Sequence, residues 1–185
     1  QGGCGGDSGA CSVNTDVVDQ QFTVYELLKD AIRITRRSVR SGHHDLHSRT
    51  ALVGEAPEAI HEQFEHAETE LQDVMILSMV ASFERELRTA IQDAFQTNTT
   101  IGNQTMRQLA NLTFDSIDRW TVRDIIDALS PAVDEDLRGQ GKQIYDYRNW
   151  VAHGRNPNRQ PPARTDPRTV ATKLTSFLGQ SKGAL

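Results

Sequence analysis

An arginine and a histidine, separated by four residues, stand in the stretch YRNWVAHGR at residues 147–155. Arg148 carries a planar, permanently charged guanidinium that suits phosphate oxygens and can stabilise charge developing on a phosphoryl group. His153 can exchange protons near neutral pH, and the dipole of a helix ending there favours the imidazolium form. The two residue types therefore suit a reaction at a phosphate. The alternative is a surface cation in an ion pair and a histidine that caps a helix.

The spacing of this pair has a geometric consequence. Five residue steps on an ideal helix place Arg148 and His153 about 140° apart, so they do not share a face by default. A long arginine side chain near the last turn can still reach the histidine. Asn149 precedes His153 by four residues and shares its face. Gly154 is well placed as the residue that closes the helix.

Helical periodicity dominates the rest of the chain, beginning with the stretch after residue 20. Apolar residues recur there at spacings of three and four, and Ser41–Gly42 ends the pattern. The stripe of this first helix consists of Phe22, Tyr25, Leu28 and Ile32.

A second periodic region spans residues 58–95 and would measure about 57 Å as one helix. Its stripe changes phase near Met75, so a kinked helix and a single long helix both remain open. The first half of the stripe consists of Ile60, Phe64, Ala67, Leu71 and Val74, and the second of Val80, Phe83, Leu87, Ile91 and Ala94.

Three shorter helices are predicted before the last one. They cover the stretches MRQLANL, TVRDIIDAL and the motif helix DEDLRGQGKQIYDYRNWVAH, whose apolar stripe contains Leu137, Ile144, Tyr147 and Val151. Gly139 and Gly141 weaken the motif helix. Residues 155–165 are rich in Pro and Arg and predict a loop, after which Asp166 as N-cap and Pro167 open a final helix through Phe177.

No stretch alternates with the period of a strand, so we expect an all-α fold, a single bundle of about five to seven helices over residues 21–180. Residues 1–20 predict a flexible Gly-rich linker and residues 181–185 a tail. Both cysteines, Cys4 and Cys11, lie in the linker, which leaves no disulfide framework and fits a reducing, cytoplasmic location. No apolar run is long enough to span a membrane.

Metal chemistry has weak support in the sequence. His43 and His47 form an i, i+4 pair that could bind zinc, and His61 and His66 could do so less well, but no further ligands complete a site. We therefore expect no metal and no cofactor.

The stretch YRNWVAHG, preceded by the amphipathic segment MILSMVASFERELRTAI, resembles the HEPN family, the higher-eukaryote and prokaryote nucleotide-binding domain. The resemblance covers roughly residues 22–178 and implies an all-α bundle. Many members are metal-independent endoribonucleases that act as homodimers, with two Arg–His motifs meeting in one composite cleft. The resemblance implies a catalytic set of Arg148, Asn149 and His153, with Glu84 facing the motif and Tyr147 in support. It also implies a toxin or antiviral-defence role with an antitoxin or other regulatory protein.

Catalysis is one of two functions that the resemblance allows. His153 would act as general acid or base, Arg148 would hold the phosphate, and Asn149 would orient one of them. The products would be a 2′,3′-cyclic phosphate and a 5′-hydroxyl end. The alternative is a non-catalytic HEPN-like module that dimerises and binds RNA, a nucleotide or a partner protein.

A basic run on the first helix offers a contact surface for RNA. Arg33, Arg36, Arg37 and Arg40 occupy one broad face, although the net charge of the chain is −5. An equally valid interpretation is a solvated face that pairs with the acidic residues of 55–73.

Overall fold

The computed structural model describes residues 16–43, 49–99, 116–158 and 160–182, and for residues 96–99 and 118 it describes the backbone only. Within these ranges the chain is all-α, as predicted, and contains no strand. Five helices are present: α1 (Asp16–Arg40), α2 (Pro57–Thr99), α3 (Val122–Ala128), α4 (Glu135–Ala152) and α5 (Pro167–Ser181), with a 3-10 turn at Ile117–Arg119. The predicted short helix MRQLANL and both cysteines lie outside the described residues. In the described part of the chain, no helix has the combination of length and apolar character that crossing a membrane requires.

The long helix α2 organises the bundle. It is one continuous helix of 43 residues, roughly 64 Å at 1.5 Å per residue, and it packs against α1, α4 and α5. Its predicted second stripe, from Val80 to Ala94, is buried throughout. Phe83 meets Phe177 of α5 edge to face, with ring centroids 5.3 Å apart, and this contact marks the centre of the core.

The first predicted stripe of α2 is wrong in part. Ile60 and Phe64 are buried, but Ala67 is exposed and Val74 keeps 55% of its surface accessible. The reason is that Asp73 and Ile76, one residue before and two after Val74, turn toward the bundle. The change of phase near Met75 therefore reflects a change in which neighbours α2 contacts, and it produces no break in the helix.

Helix α1 begins earlier and is more exposed than predicted. Asp16–Gln20, assigned to the linker, form its first turn, because Val18 is fully buried in the core. Leu28, predicted on the buried stripe, is 44% exposed, since the main partners of α1 among the described helices are α2 and α5. The apolar side chains of α1 that face solvent are Val24, Leu27, Leu28 and Ile34.

The motif helix α4 contains two glycines with different roles. Gly141 is buried, and a Cβ there would lie 3.3 Å from Cδ1 of Ile126 and 3.8 Å from the Phe177 ring. A Cβ at Gly139 would meet nothing within 4 Å. Gly141 therefore lets α3 and α5 approach α4 closely, which offsets the low helix propensity of glycine.

The last helix starts as predicted, with Asp166 as N-cap accepting a hydrogen bond from the Thr169 backbone at 3.0 Å and Pro167 in the first turn. It extends past Phe177 to Ser181, which was assigned to the tail but is fully buried. The Ser181 hydroxyl donates to the Leu178 carbonyl, so this polar side chain is satisfied within its own helix.

Candidate functional site

The end of α4 is closed by a Schellman motif at the predicted glycine. The Gly154 amide donates to the Val151 carbonyl and the Arg155 amide to the Trp150 carbonyl, each at 2.9 Å. Gly154 has φ of 75° and Arg155 has φ of 53°. The left-handed region costs a non-glycine residue about 1–2 kcal/mol, so Arg155 needs further contacts to hold it there.

Those contacts come from α2. The Arg155 guanidinium donates to Glu70 at 2.6 Å and, from Nε at 3.0 Å and from Nη2, to Asp73. The Asp73 carboxylate is only 3% exposed, and its other oxygen accepts from the Tyr147 hydroxyl at 2.7 Å. We call these four residues the Arg155 clamp. The clamp connects Arg155, two residues after His153, to α2 and to Tyr147, the residue before Arg148.

The clamp changes the titration of its members. Burial, followed by the hydrogen bond to Asp73, raises the pKa of Tyr147 to about 12. The hydrogen bond from Arg155 holds the pKa of Glu70 below its usual value, and the two carboxylates raise the pKa of Arg155. Each of these three shifts favours the form that the hydrogen bonds require: the neutral phenol of Tyr147, the carboxylate of Glu70 and the cation of Arg155.

A cleft of about 540 Å³ lies between one face of α4 and the loop that follows Arg155. Four residues at helix positions i, i+3, i+4 and i+7 share that face: Asp146, Asn149, Trp150 and His153. The loop side of this motif cleft is formed by Asn156, Gln160 and Pro162. His153 is exposed to solvent. Arg123 on α3 forms an ion pair with Asp146, which offsets the negative charge of that carboxylate.

Arg148 does not line the motif cleft, in agreement with its angle of about 140° from His153. Its Nη1 donates to the Asn149 side-chain oxygen at 3.0 Å. Asn149 is therefore the link between the two residues, because it contacts the arginine and shares the cleft with the histidine. This is a hydrogen bond of the kind predicted for Asn149, and the orienting role assigned to it stays a prediction.

Two buried donors in this segment have no acceptor among the described residues. They are Nε of Arg148 and Nε1 of Trp150. Such groups are rare in folded proteins, because each one costs about 1–3 kcal/mol. Their occurrence two residues apart, beside the motif cleft, indicates packing that is not optimised for stability.

The supporting residue Glu84 is not where the resemblance implies. It accepts from Arg88 at 2.8 Å on its own helix, and Arg88 also donates to the carbonyls of Ile117 and Trp120. Glu84 lies about 16 Å along the α2 axis from Asp73, which is the α2 residue that contacts α4 near the motif. The acidic side chains of α2 near the motif are therefore Glu70 and Asp73. Tyr147, the other supporting residue, belongs to the Arg155 clamp.

The basic run on α1 is divided between the two interpretations. Arg36 bridges Glu65 at 3.3 Å and Glu68 at 3.2 Å, as the solvated-face interpretation requires, and Arg33 pairs with Asp30. Arg37 and Arg40 are exposed and form no ion pair with the described residues. They remain the available cations of this surface.

The predicted histidine pairs are only partly described. His61 and His66 are exposed on α2, and His47 lies outside the described residues, so its pairing with His43 is not placed. No group of three or more potential metal ligands occurs in the described part of the chain.

The sequence did not reveal the Arg155 clamp or the loop side of the cleft. One signal for the clamp was present, because Asp73 directly precedes the apolar stretch VMILSMV, near the point where the α2 stripe changes phase. No local pattern connects it to Arg155, which is 82 residues away.

No family model, curated protein or solved structure matches the chain. The likeness to HEPN domains therefore depends on residues 147–154 and on the helices that carry them.

Proposed function

We propose that the chain is a metal-independent endoribonuclease of HEPN type that acts as a homodimer. The observation that supports this most is the placement of Asn149, which receives a hydrogen bond from Arg148 and lines one cleft with His153. The Schellman motif and the Arg155 clamp fix the end of α4, as a site that must hold its groups in register requires.

In this proposal His153 removes the proton from a ribose 2′-hydroxyl. The 2′-oxygen forms a bond to the adjacent phosphorus, the bond from phosphorus to the 5′-oxygen breaks, and a proton returns to that leaving oxygen. Arg148 stabilises the charge that develops on the non-bridging oxygens. The products are a 2′,3′-cyclic phosphate and a 5′-hydroxyl, and no electrons are transferred.

The opposed directions of Arg148 and His153 on α4 support a dimer. Within one chain the histidine reaches the motif cleft and the arginine does not line it. A two-fold symmetric pair of chains can present Arg148 of one copy to His153 of the other, and symmetry then creates two equivalent Arg–His pairs.

Cleavage of RNA in the presence of EDTA tests the chemistry. The wild-type protein should cleave, and His153→Ala and Arg148→Ala should each reduce the rate by at least about 100-fold, the range for loss of a general acid–base or charge-stabilising group. His61→Ala, an exposed histidine on α2, is the matched control and should retain the rate. Circular dichroism should show all three variants folded. Equal cleavage by all of them would reject the proposal and indicate a contaminating nuclease.

Mixing the two inactive variants tests the pairing between chains. If His153 of one copy works with Arg148 of the other, half of the randomly mixed dimers contain one intact pair of two, so activity should recover to about one quarter of wild type. A mixture as inactive as either variant alone would show that the motif works within one chain or not at all. Light scattering should report a dimer in each preparation.

A binding module without cleavage is the second candidate. The lining of the motif cleft favours it, because three carboxamides and an indole bind a nucleobase without reacting with it. RNA that binds to the wild-type protein and remains intact in EDTA and in Mg²⁺ would establish this function and exclude the first.

A further inference from the structure

A second cavity follows the motif cleft along α4. It has a volume of about 240 Å³ and is bounded by Gln140, Gln143 and Ile144 of α4, by Ala163–Thr165 of the loop, and by Thr169 and Lys173 of α5. Gln143 is one helical turn before Asp146, and Ala163 follows Pro162, so the two depressions are neighbours on both walls. Their centres are about 11 Å apart along α4 at 1.5 Å per residue.

This cavity differs from the motif cleft in its charge. Arg164 and Lys173 both line it, and neither forms an ion pair with any described residue, although the chain as a whole is acidic. Within the described ranges, Arg164 donates to the amide oxygen of Gln72, at 3.2 Å. We call it the cationic cavity. Two cations without a counter-ion among the described residues, in one depression, attract an anion.

A third depression limits the direction in which a polyanion could extend from the cationic cavity. It shares Gln140 and Lys173 with the cationic cavity and is otherwise lined by an acidic turn at the start of α4, Asp134, Glu135 and Asp136. A polyanion would be repelled there. The favourable path for a polyanion therefore runs from the motif cleft to the cationic cavity and leaves the surface before the start of α4.

We infer that the cationic cavity is a phosphate subsite for single-stranded RNA bound in the motif cleft, with Arg164 and Lys173 contacting a backbone phosphate about two nucleotides from the one at His153. This inference rests on the proposed function for the identity of the ligand. Single-stranded RNA suits the site because its phosphates are accessible along a narrow track and its bases can turn toward Trp150 and the carboxamides. Gln140 adds a buried side-chain oxygen without a partner among the described residues, available to a ribose hydroxyl.

Salt dependence of RNA binding tests the subsite without any need for cleavage. The probe is a fluorescein-labelled single-stranded octauridylate, measured by anisotropy with the His153→Ala protein as the parent. Each neutralised phosphate contributes about −0.7 to the slope of log K against log salt concentration, so the double variant Lys173→Gln/Arg164→Gln should make the slope shallower by about 0.7, and Lys173→Gln alone should give part of that change. Lys182→Gln, the same charge change on an exposed residue just past α5, is the matched control and should retain the parent slope.

The outcomes separate the two proposals. Slopes that are equal in the parent, Lys173→Gln and Lys182→Gln, or an octauridylate that does not bind at all, would overturn the subsite. A shallower slope in Lys173→Gln with no cleavage by the wild type would retain the subsite and reject the ribonuclease. If the wild type does cleave, Lys173→Gln should raise KM for the octamer with kcat unchanged and leave a dinucleoside monophosphate, which has one phosphate, unaffected. A KM for the octamer that stays at the wild-type value would contradict the inference.

Discussion

The Asp73 carboxylate is the most sensitive point of the Arg155 clamp. It is nearly inaccessible to solvent and accepts hydrogen bonds from Tyr147 and from two nitrogens of Arg155. Asp73→Asn keeps the shape but removes the charge: its one amide oxygen can still accept from the guanidinium, while its NH2 group faces the Tyr147 hydroxyl. The result is a cation that has lost its buried counter-ion.

The magnitude follows from the surroundings of Arg155. Removing one partner of a buried ion pair costs about 3–5 kcal/mol. Arg155 is 34% exposed and keeps its contact with Glu70 at 2.6 Å, so solvent and the second carboxylate reduce the cost to about 2–3 kcal/mol. For a chain of this size, that loss in the free energy of unfolding lowers Tm by roughly 4–12 °C.

Urea denaturation and thermal melting, both followed by circular dichroism, measure this loss. Asp30→Asn is the matched control, because it makes the same chemical change in an ion pair with Arg33 that is more than half exposed on both sides. It should change the free energy of unfolding by less than about 0.5 kcal/mol. If Asp73→Asn unfolds at the same urea concentration as Asp30→Asn, the clamp contributes no stability and the reasoning is refuted.

Three further predictions concern the same helices. Gly139→Ala should raise the free energy of unfolding by roughly 0.5–1 kcal/mol, because alanine favours the helix and its Cβ meets nothing there. Gly141→Ala should show no such increase, because its Cβ would crowd Ile126. Equal increases for both variants in urea denaturation would contradict the close packing at Gly141. The raised pKa of Tyr147 contributes stability that is complete below pH 10 and is lost as the pH rises toward about 12, so the Tm of Tyr147→Phe should fall less over that interval than the Tm of wild type. The lowered pKa of Glu70 contributes stability that is complete above about pH 4.5 and is lost as the pH falls through the folded-state pKa. In an acid titration, the free energy of unfolding of Glu70→Gln should therefore decrease less than that of wild type. Glu62→Gln, an exposed glutamate on the same helix, is the control and should follow wild type.

Much of the fold could be predicted because its signals are local. Gly154 as helix terminator and Asp166–Pro167 as helix start depend on neighbours within a few residues, and the structure contains both. The faces of α1 and α2 were predicted less well, because burial at Leu28 or Val74 depends on which helices lie beside them. The periodicity of apolar residues along one helix does not specify which helices will lie beside it.

In the candidate site, too, the features with local signals could be predicted and those that depend on distant contacts could not. The angle between Arg148 and His153 comes from helix geometry alone, and the structure places them accordingly, with only the histidine in the motif cleft. The sequence did not predict the loop residues that line the two depressions, among them Asn156, Gln160 and Arg164. They lie there because the loop runs back along α4, and a high content of proline and arginine does not specify that path. Glu84 was misplaced because similarity of position along a helix does not determine which partner the side chain meets.

The Arg155 clamp also determines when the site can become ordered during folding. The Schellman motif needs only residues 150–155 and can form as soon as α4 does. The clamp joins residues 82 and 85 positions apart in the chain, so it must wait until α2 and α4 have docked. During synthesis α2 is complete long before Arg155 is added, so the wall of the motif cleft is secured only after the whole motif helix has been made.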